Sequence, residues 1–302
     1  MLQKKLVLII AIILIVIWSI GPLYWMVNLS FQTRLDIVTI PAHLYPPNPT
    51  FQNYKVIIEH LVPVIDQEVI DTNTVTGQIY RVDVIALFNE GIVNSMLVAG
   101  VTTILTIAIS LPAAYAFSRF NFPFRKTLLI VILFTRAIPP IVLVIPYYQL
   151  FDQINLLGTY LGIILTYLVL TVPIITWIMA GFFATLPLDI EKAARMDGCT
   201  RKQMFSKIIV PLAMPGIMVS VILAFLICWN EYLFALMLGQ AGKGYLYLAP
   251  PVIAGFRGGL GSAMSVVYII PPILATMFLQ RYITNLKIVD PGMAYGGDQS
   301  RI

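Results

Sequence analysis

Long apolar runs alternate with shorter polar segments along this chain: Leu6–Val27, Ile92–Phe117, Thr127–Tyr148, Tyr160–Phe183, Pro211–Leu238 and Ser262–Tyr282. Each is long enough to cross the hydrocarbon core of a bilayer as a helix, which takes about 20 predominantly apolar residues. The pattern predicts an all-α integral membrane fold of six transmembrane helices, with both ends of the chain on one side. Leu6–Val27 is too long for the apolar stretch of a signal peptide and lacks a small-residue cleavage site. It ends in Trp18, Tyr24 and Trp25, which suit a membrane interface, so it is read as the first membrane helix.

Leu188–Gly216 is the longest strongly polar helical segment between two apolar runs in the C-terminal half. At about 100° per residue, Glu191, Ala194 and Gly198 fall close together on a helix, with Ala193 and Asp197 beside them. The expectation is a helix with a small-residue stripe, along which another backbone can come close. Gly198, a poor helix residue, marks where this helix bends or stops, and a second short helix then runs from Thr200 towards Ser206. Pro211 and Pro215 suit the first turns of a new helix, where a missing N–H is harmless. The same composition also fits an ordinary solvated loop helix with a turn glycine.

With 59% hydrophobic and 11% charged residues and a mean hydropathy of +0.88, the 302 residues exclude an ordinary soluble domain. The net charge of +5 points to no nucleic acid, because the basic residues sit in short clusters at the ends of apolar runs. That is a topology signal. With the N-terminus inside, the cytoplasmic segments hold Lys4, Lys5, Arg119, Arg125, Lys126, Lys192, Arg195, Arg201, Lys202, Lys207, Arg281, Lys287 and Arg301. The outer segments hold only Arg34, Lys55, Arg81, Lys243 and Arg257, so the bias places the polar hairpin and both termini in the cytoplasm. Cys199 lies in the hairpin and Cys228 within a membrane run, which argues against a disulfide framework.

The spacing Ala193-Ala194-x3-Gly198-x9-Ile208-x-Val210-Pro211 resembles the cytoplasmic "EAA" loop in the membrane subunits of ATP-binding-cassette importers, above all those of the maltose-type sugar uptake group. Two positions depart from the family pattern. Lys192 stands where the family has Glu, with Glu191 one residue earlier, and Val210 replaces the usual Leu. The resemblance implies a type I importer permease architecture in which Glu191, Ala193, Ala194, Asp197, Gly198, Ile208 and Pro211 contact a partner ATPase. It further implies a second permease subunit, two ATPase subunits that carry the ATP and Mg, and an extracytoplasmic solute-binding protein. By that likeness the linear organisation is a first helix over 1–27, an outer loop over 28–91, a permease core over 92–284 and a cytoplasmic tail over 285–302. The core holds a coupling hairpin at 188–207 and an outer loop at 239–261.

Within the third run, Arg136 is followed by Pro139 and Pro140. A charge at membrane depth costs roughly 2.5–3.5 kcal/mol, so Arg136 should face protein or water, and the prolines should break the helix there. It either lines the pathway or pairs structurally with a neighbour. The fifth run holds Trp229-Asn230-Glu231-Tyr232, similar to a family stretch near the outer half of this helix. Asn230 and Glu231 can bond sugar hydroxyls and Tyr232 can stack on a sugar face, or all three can lock helices together. Gly239–Gly261 is glycine-rich and is read as a pliable outer loop; the resemblance implies that Gly244, Tyr245 and Tyr247 reach a binding protein, while a mere connector fits as well. Residues Val64–Val84 suggest a small β-hairpin turning near Gly77.

No P-loop of the form G-x-x-x-x-G-K-[ST], no H-E-x-x-H and no G-x-S-x-G occurs, so an enzyme reading has no footing and no cofactor is expected on this chain. His43 and His60 both lie in the outer segment, so no intramembrane metal site is expected. By resemblance of the hairpin, of Trp229–Tyr232 and of the Pro22–Gln32 exit of the first helix, the substrate class is a carbohydrate. Polyamine or phosphate importers share the hairpin and are the alternative substrates. A stand-alone secondary transporter or a membrane scaffold subunit are the other classes, and both leave the hairpin unexplained.

Overall fold

The computed structural model describes residues 2–59, 84–242, 244–256 and 258–283. The expected β-hairpin (64–83), His60, Lys243, Arg257 and the tail 285–302 lie outside them. Among the described residues every regular element is helical. In chain order these are α1 (Leu2–Ser30), α2 (Arg34–Ile37), α3 (Gln52–Glu59), α4 (Val84–Arg119), α5 (Arg125–Phe134), α6 (Pro140–Gln153) and α7 (Tyr160–Thr185). They continue with α8 (Leu188–Met196), α9 (Arg201–Met204), α10 (Val210–Leu212), α11 (Met214–Trp229), α12 (Ala249–Ala254), α13 (Gly258–Tyr268) and α14 (Ile270–Ile283).

Four stretches are long and apolar enough to cross a membrane as they stand: Lys5–Ser30, Ala86–Arg119, Tyr160–Thr185 and Gly258–Phe278. Two bent pairs bring the number to six if each is one crossing: Arg125–Ala137 with Pro140–Gln153, bent by 89°, and Arg201–Leu212 with Met214–Trp229, bent by 76°. The third run breaks where Pro139 and Pro140 predict. Pro140 opens α6, and Thr135–Ala137 before it tightens into a 3-10 turn. The fifth run differs from expectation, because Pro211–Leu238 is not one helix. It bends at Ala213, stops at Trp229, and resumes as a π-helical turn over Ala235–Gly239.

The chain divides into two compact units. One comprises residues 1–92 and 247–270. In it α13 lies along α1, and Ile57, Phe88, Val252, Ala263 and Met264 form a buried apolar cluster. The C-terminal end of α1 is tied down by polar side chains: Asn28 donates to His43 O (3.0 Å), and Asn53 donates to Ser30 O (2.9 Å) and Gln32 O (3.2 Å). Thr33 and Asp36 close a reciprocal capping box on α2.

The other unit comprises residues 93–246 and 271–302. Its core gathers Leu111, Ala114 and Tyr115 of α4, Ile175, Met179 and Phe183 of α7, Ala194, Met204 and Ile209 of the hairpin, and Ile217 of α11. Hydroxyls buried on α4 and α7 satisfy one another or the helix backbone: Thr106 meets Thr171 at 2.6 Å, and Thr171 and Thr166 donate back to Tyr167 O and Gly162 O. Such pairs hold apolar helices together where no hydrophobic force separates protein from lipid.

Candidate functional site

The polar hairpin is built from its local chemistry. Asp189 and Glu191 lie in the first turn of α8 and Arg195 in its last, each at the favourable end of the helix dipole. The helix closes on Asp197 and Gly198. Gly198 N donates to Arg195 O (3.1 Å) and Cys199 N to Ala194 O (3.0 Å), the bond pair of a Schellman turn. Gly198 adopts φ +80°, a conformation that side-chain-bearing residues rarely take. Thr200 then caps α9, its hydroxyl accepting from Gln203 N while Gln203 reaches back to Thr200 N.

The expected stripe divides into two faces. Glu191 is 2% exposed and Ala194 4%, both turned into the chain's own core. Ala193, Asp197 and Gly198 are exposed, and so is Met196, at 83%. The 100° extrapolation fails because the helix ends at Met196, and the left-handed turn at Gly198 swings the chain away from the line of Glu191 and Ala194. Ile208 is half-buried and Pro211 exposed, while the neighbouring Ile209 is the residue driven fully into the core.

Glu191 has three partners. Arg119 Nε lies 2.6 Å from one carboxylate oxygen; Tyr115 Oη donates to the other at 3.1 Å; Arg195 Nη2 approaches that second oxygen at 3.7 Å. Arg119 also donates from Nη2 to Leu186 O, just past α7, at 2.8 Å. The Tyr115 ring stands edge-on to Phe183 (5.8 Å) and Phe120 (5.9 Å) and tilts against Phe205 (5.0 Å). In this chain the carboxylate is turned inward and buried. Arg119 and Tyr115 carried no sign of this in the sequence: Arg119 read as a basic residue at a helix end, and no spacing links it to a glutamate so far along the chain.

Arg136 sits in the 3-10 turn between α5 and α6, half-buried, and among the described residues no carboxylate pairs with it. Beside it Ile130, Val131, Phe134, Thr135 and Ile138 line an apolar groove of about 400 Å³. In the fifth run the two polar side chains explain the break. Asn230 turns back to donate to Leu226 O (2.9 Å). Glu231 accepts from Phe234 N and Ala235 N, both at 3.0 Å, with Tyr167 a further partner, and so caps the turn that restarts the helix. Asn230 and Tyr232 are exposed. The C-terminal halves of the two broken runs meet through Tyr147 and Phe234, ring centroids 5.8 Å apart.

Gly239–Gly261 is not a single pliable loop. It contains α12 and the first turn of α13, and its glycines serve close packing. Gly158 N donates to Leu238 O (2.8 Å), and a Cβ on Gly158 would stand 2.6 Å from Ala241 O. A Cβ on Gly244 would stand 3.0 Å from Gly158 O, and one on Gly242 2.8 Å from Leu157 Cβ. Tyr245 is exposed, whereas Tyr247 is half-buried against the Phe88 cluster of its own unit. Among the described residues no three His, Cys, Asp or Glu side chains gather as a metal site requires.

Residues 106–287 match the family described as binding-protein-dependent transport system inner membrane component. The trehalose transport system permease protein SugB of Mycobacterium tuberculosis is 33% identical over 278 residues, 89% of this chain and 91% of its own. The sulfoquinovosyl glycerol transport system permease protein SmoH of Agrobacterium fabrum is 31% identical over 284 residues, 92% of this chain and 90% of its own. Among solved structures, a chain of a bacterial ABC transporter involved in the import of the acidic polysaccharide alginate superposes with a TM-score of 0.69. That match covers 93% of this chain and 97% of the other at 20% identity, a likeness of fold. With a match across more than half its length and this identity to SugB, the chain belongs to the family of binding-protein-dependent transport system inner membrane components.

Proposed function

We propose that this chain is the permease subunit of an ATP-driven carbohydrate importer. It forms half of the transmembrane pathway with a second permease subunit and receives the work of ATP hydrolysis through the hairpin of α8 and α9. The observation that carries this reading is the hairpin's two-faced build. Glu191 and Ala194 fix it to the core, and Ala193, Met196, Asp197 and Gly198 stand outward as a surface, with an exposed methionine among short side chains, that a partner can cover. The trehalose and sulfoquinovosyl glycerol named for the relatives make a sugar or glycoside the substrate class.

In this reading ATP and Mg bind on two separate ATPase chains beneath the hairpin, and a solute-binding protein docks on the opposite side, where Tyr245 is exposed and Gly244 shapes its turn. Both termini are cytoplasmic. Arg136, Asn230 and Tyr232 face the pathway at the two helix breaks, while Glu231 holds the second break in shape. Tyr247 supports the neighbouring helices more than it contacts a partner.

Co-expression with the ATPase subunits, purification and ATPase assay test this. Ala193→Arg, an exposed change that leaves the core untouched, is expected to reduce co-purified ATPase by about tenfold, as a bulky charge at the centre of a docking surface does. Wild-type recovery of ATPase with this variant rejects the hairpin as the docking element. Arg136→Gln is expected to lower uptake while leaving ATPase recovery intact; a wild-type uptake rate removes Arg136 from the pathway.

A further inference from the structure

One buried guanidinium ties the hairpin to two membrane helices at once. Arg119 lies in the last turn of α4 and makes two contacts on different elements: Nε to Glu191 Oε1 of α8 at 2.6 Å, and Nη2 to Leu186 O at the end of α7 at 2.8 Å. One helical turn earlier on α4, Tyr115 Oη holds the second oxygen of Glu191. Arg119 and Glu191 side chains are only 6% and 3% exposed. Of the further α8 ion pairs, Lys192 with Asp189 is 68% and 87% exposed, and Arg195, which approaches Glu191 at 3.7 Å, is itself 65% exposed, so water screens both.

An α-helix of nine residues has no stable orientation of its own. Apolar contact through Ala194 draws α8 to the core, but apolar packing is non-directional and permits sliding. One guanidinium that is ion-paired with Glu191 of α8 and hydrogen-bonded to Leu186 O at the end of α7 ties both elements to α4 at once. Separating this buried pair would strand a charge without water, so the contact holds while the elements move.

We propose that Arg119, supported by Tyr115, is the positioning residue that locks α8 to the cytoplasmic ends of α4 and α7, so that a displacement of α8 is carried into those membrane helices without slippage. This rests on the reading of α8 as the ATPase docking element. The pair Arg119–Glu191 is thus an internal transmission contact, and Glu191 acts from inside the hairpin.

The test uses the full complex with its ATPase subunits, in a background carrying Cys199→Ser and Cys228→Ala, with spin labels at Leu188→Cys, an exposed position of α8 outside the docking surface, and at Asn121→Cys just beyond α4. The inter-label distance is measured nucleotide-free and with ATP trapped. The unsubstituted pair is expected to give one narrow distance, equal in both states. Arg119→Gln is expected to hydrolyse ATP but to show a distribution about twofold broader in the trapped state, because Glu191, left with Tyr115 and the exposed Arg195, loses its buried counter-charge and pulls α8 towards water. Tyr115→Phe, which keeps the ring packing, should broaden it less, and the exchange of Arg119→Glu with Glu191→Arg should narrow it again. A narrow, state-independent distance in Arg119→Gln overturns the inference alone. A wild-type chain that recovers no ATPase overturns the docking reading and the inference with it.

Discussion

Glu191 and Gly198 lie within one short hairpin and answer to opposite constraints. Glu191 is held by what surrounds it, and Gly198 by its own backbone. A Cβ at Gly198 would meet nothing within 4 Å, so substitution there meets strain and no clash. Gly198→Ala is therefore expected to lower the stability of the isolated chain by only about 1–2 kcal/mol, the cost of a left-handed alanine, and Gly198→Asn by less. Thermal unfolding in detergent checks this, and a loss well beyond that range would mean that the surrounding space is filled. Glu191→Gln has the larger expected effect, about 3–5 kcal/mol, because it leaves the Arg119 charge buried and uncompensated. The two residues were legible in the sequence to different degrees. Gly198 declared a helix end by its type alone. Which way Glu191 pointed depended on Arg119 and Tyr115, whose proximity is a product of tertiary packing.

Among the elements, the apolar runs identify their helices well, since a long stretch without charges has no other stable form in lipid. Breaks were legible where proline made them, at Pro139 and Pro140, and illegible where side chains made them. In the fifth run Asn230 and Glu231 satisfy the backbone groups that the gap exposes, which no hydropathy pattern reports. Close helix approach was equally silent. A Cβ on Gly216 of α11 would fall 2.7 Å from the Phe182 ring of α7, while one on Gly100 of α4 would meet nothing within 4 Å. Gly216→Val is thus expected to destabilise by about 1–3 kcal/mol through overpacking. Gly100→Ala is expected to be neutral or to stabilise by about 0.5–1 kcal/mol through helix propensity. Equal effects from the two would show that α11 and α7 do not approach as described.

For the whole molecule, everything proposed for the hairpin depends on which side of the membrane it occupies, and that rests on where Lys and Arg fall. The hairpin alone carries Lys192, Arg195, Arg201, Lys202 and Lys207, and the turn after α4 adds Arg125 and Lys126. Basic segments this dense stay on the cytoplasmic side during insertion. The turn that carries Tyr245 has far fewer charges and follows the C-terminal half of the fifth run. Two exposed positions therefore report the topology directly: Met196 on α8 and Tyr245 beyond the π-helical turn. In the background lacking Cys199 and Cys228, Tyr245→Cys is expected to react with a membrane-impermeant thiol reagent on intact cells, and Met196→Cys only after the membrane is opened. The reverse pattern would set the hairpin outside, away from ATP, and no contact at Ala193 or Gly198 could then couple hydrolysis to transport. Labelling of both from outside would mean that the bent pair Arg201–Leu212 with Met214–Trp229 turns back within the membrane without crossing it, and the count of six spans would fall with it.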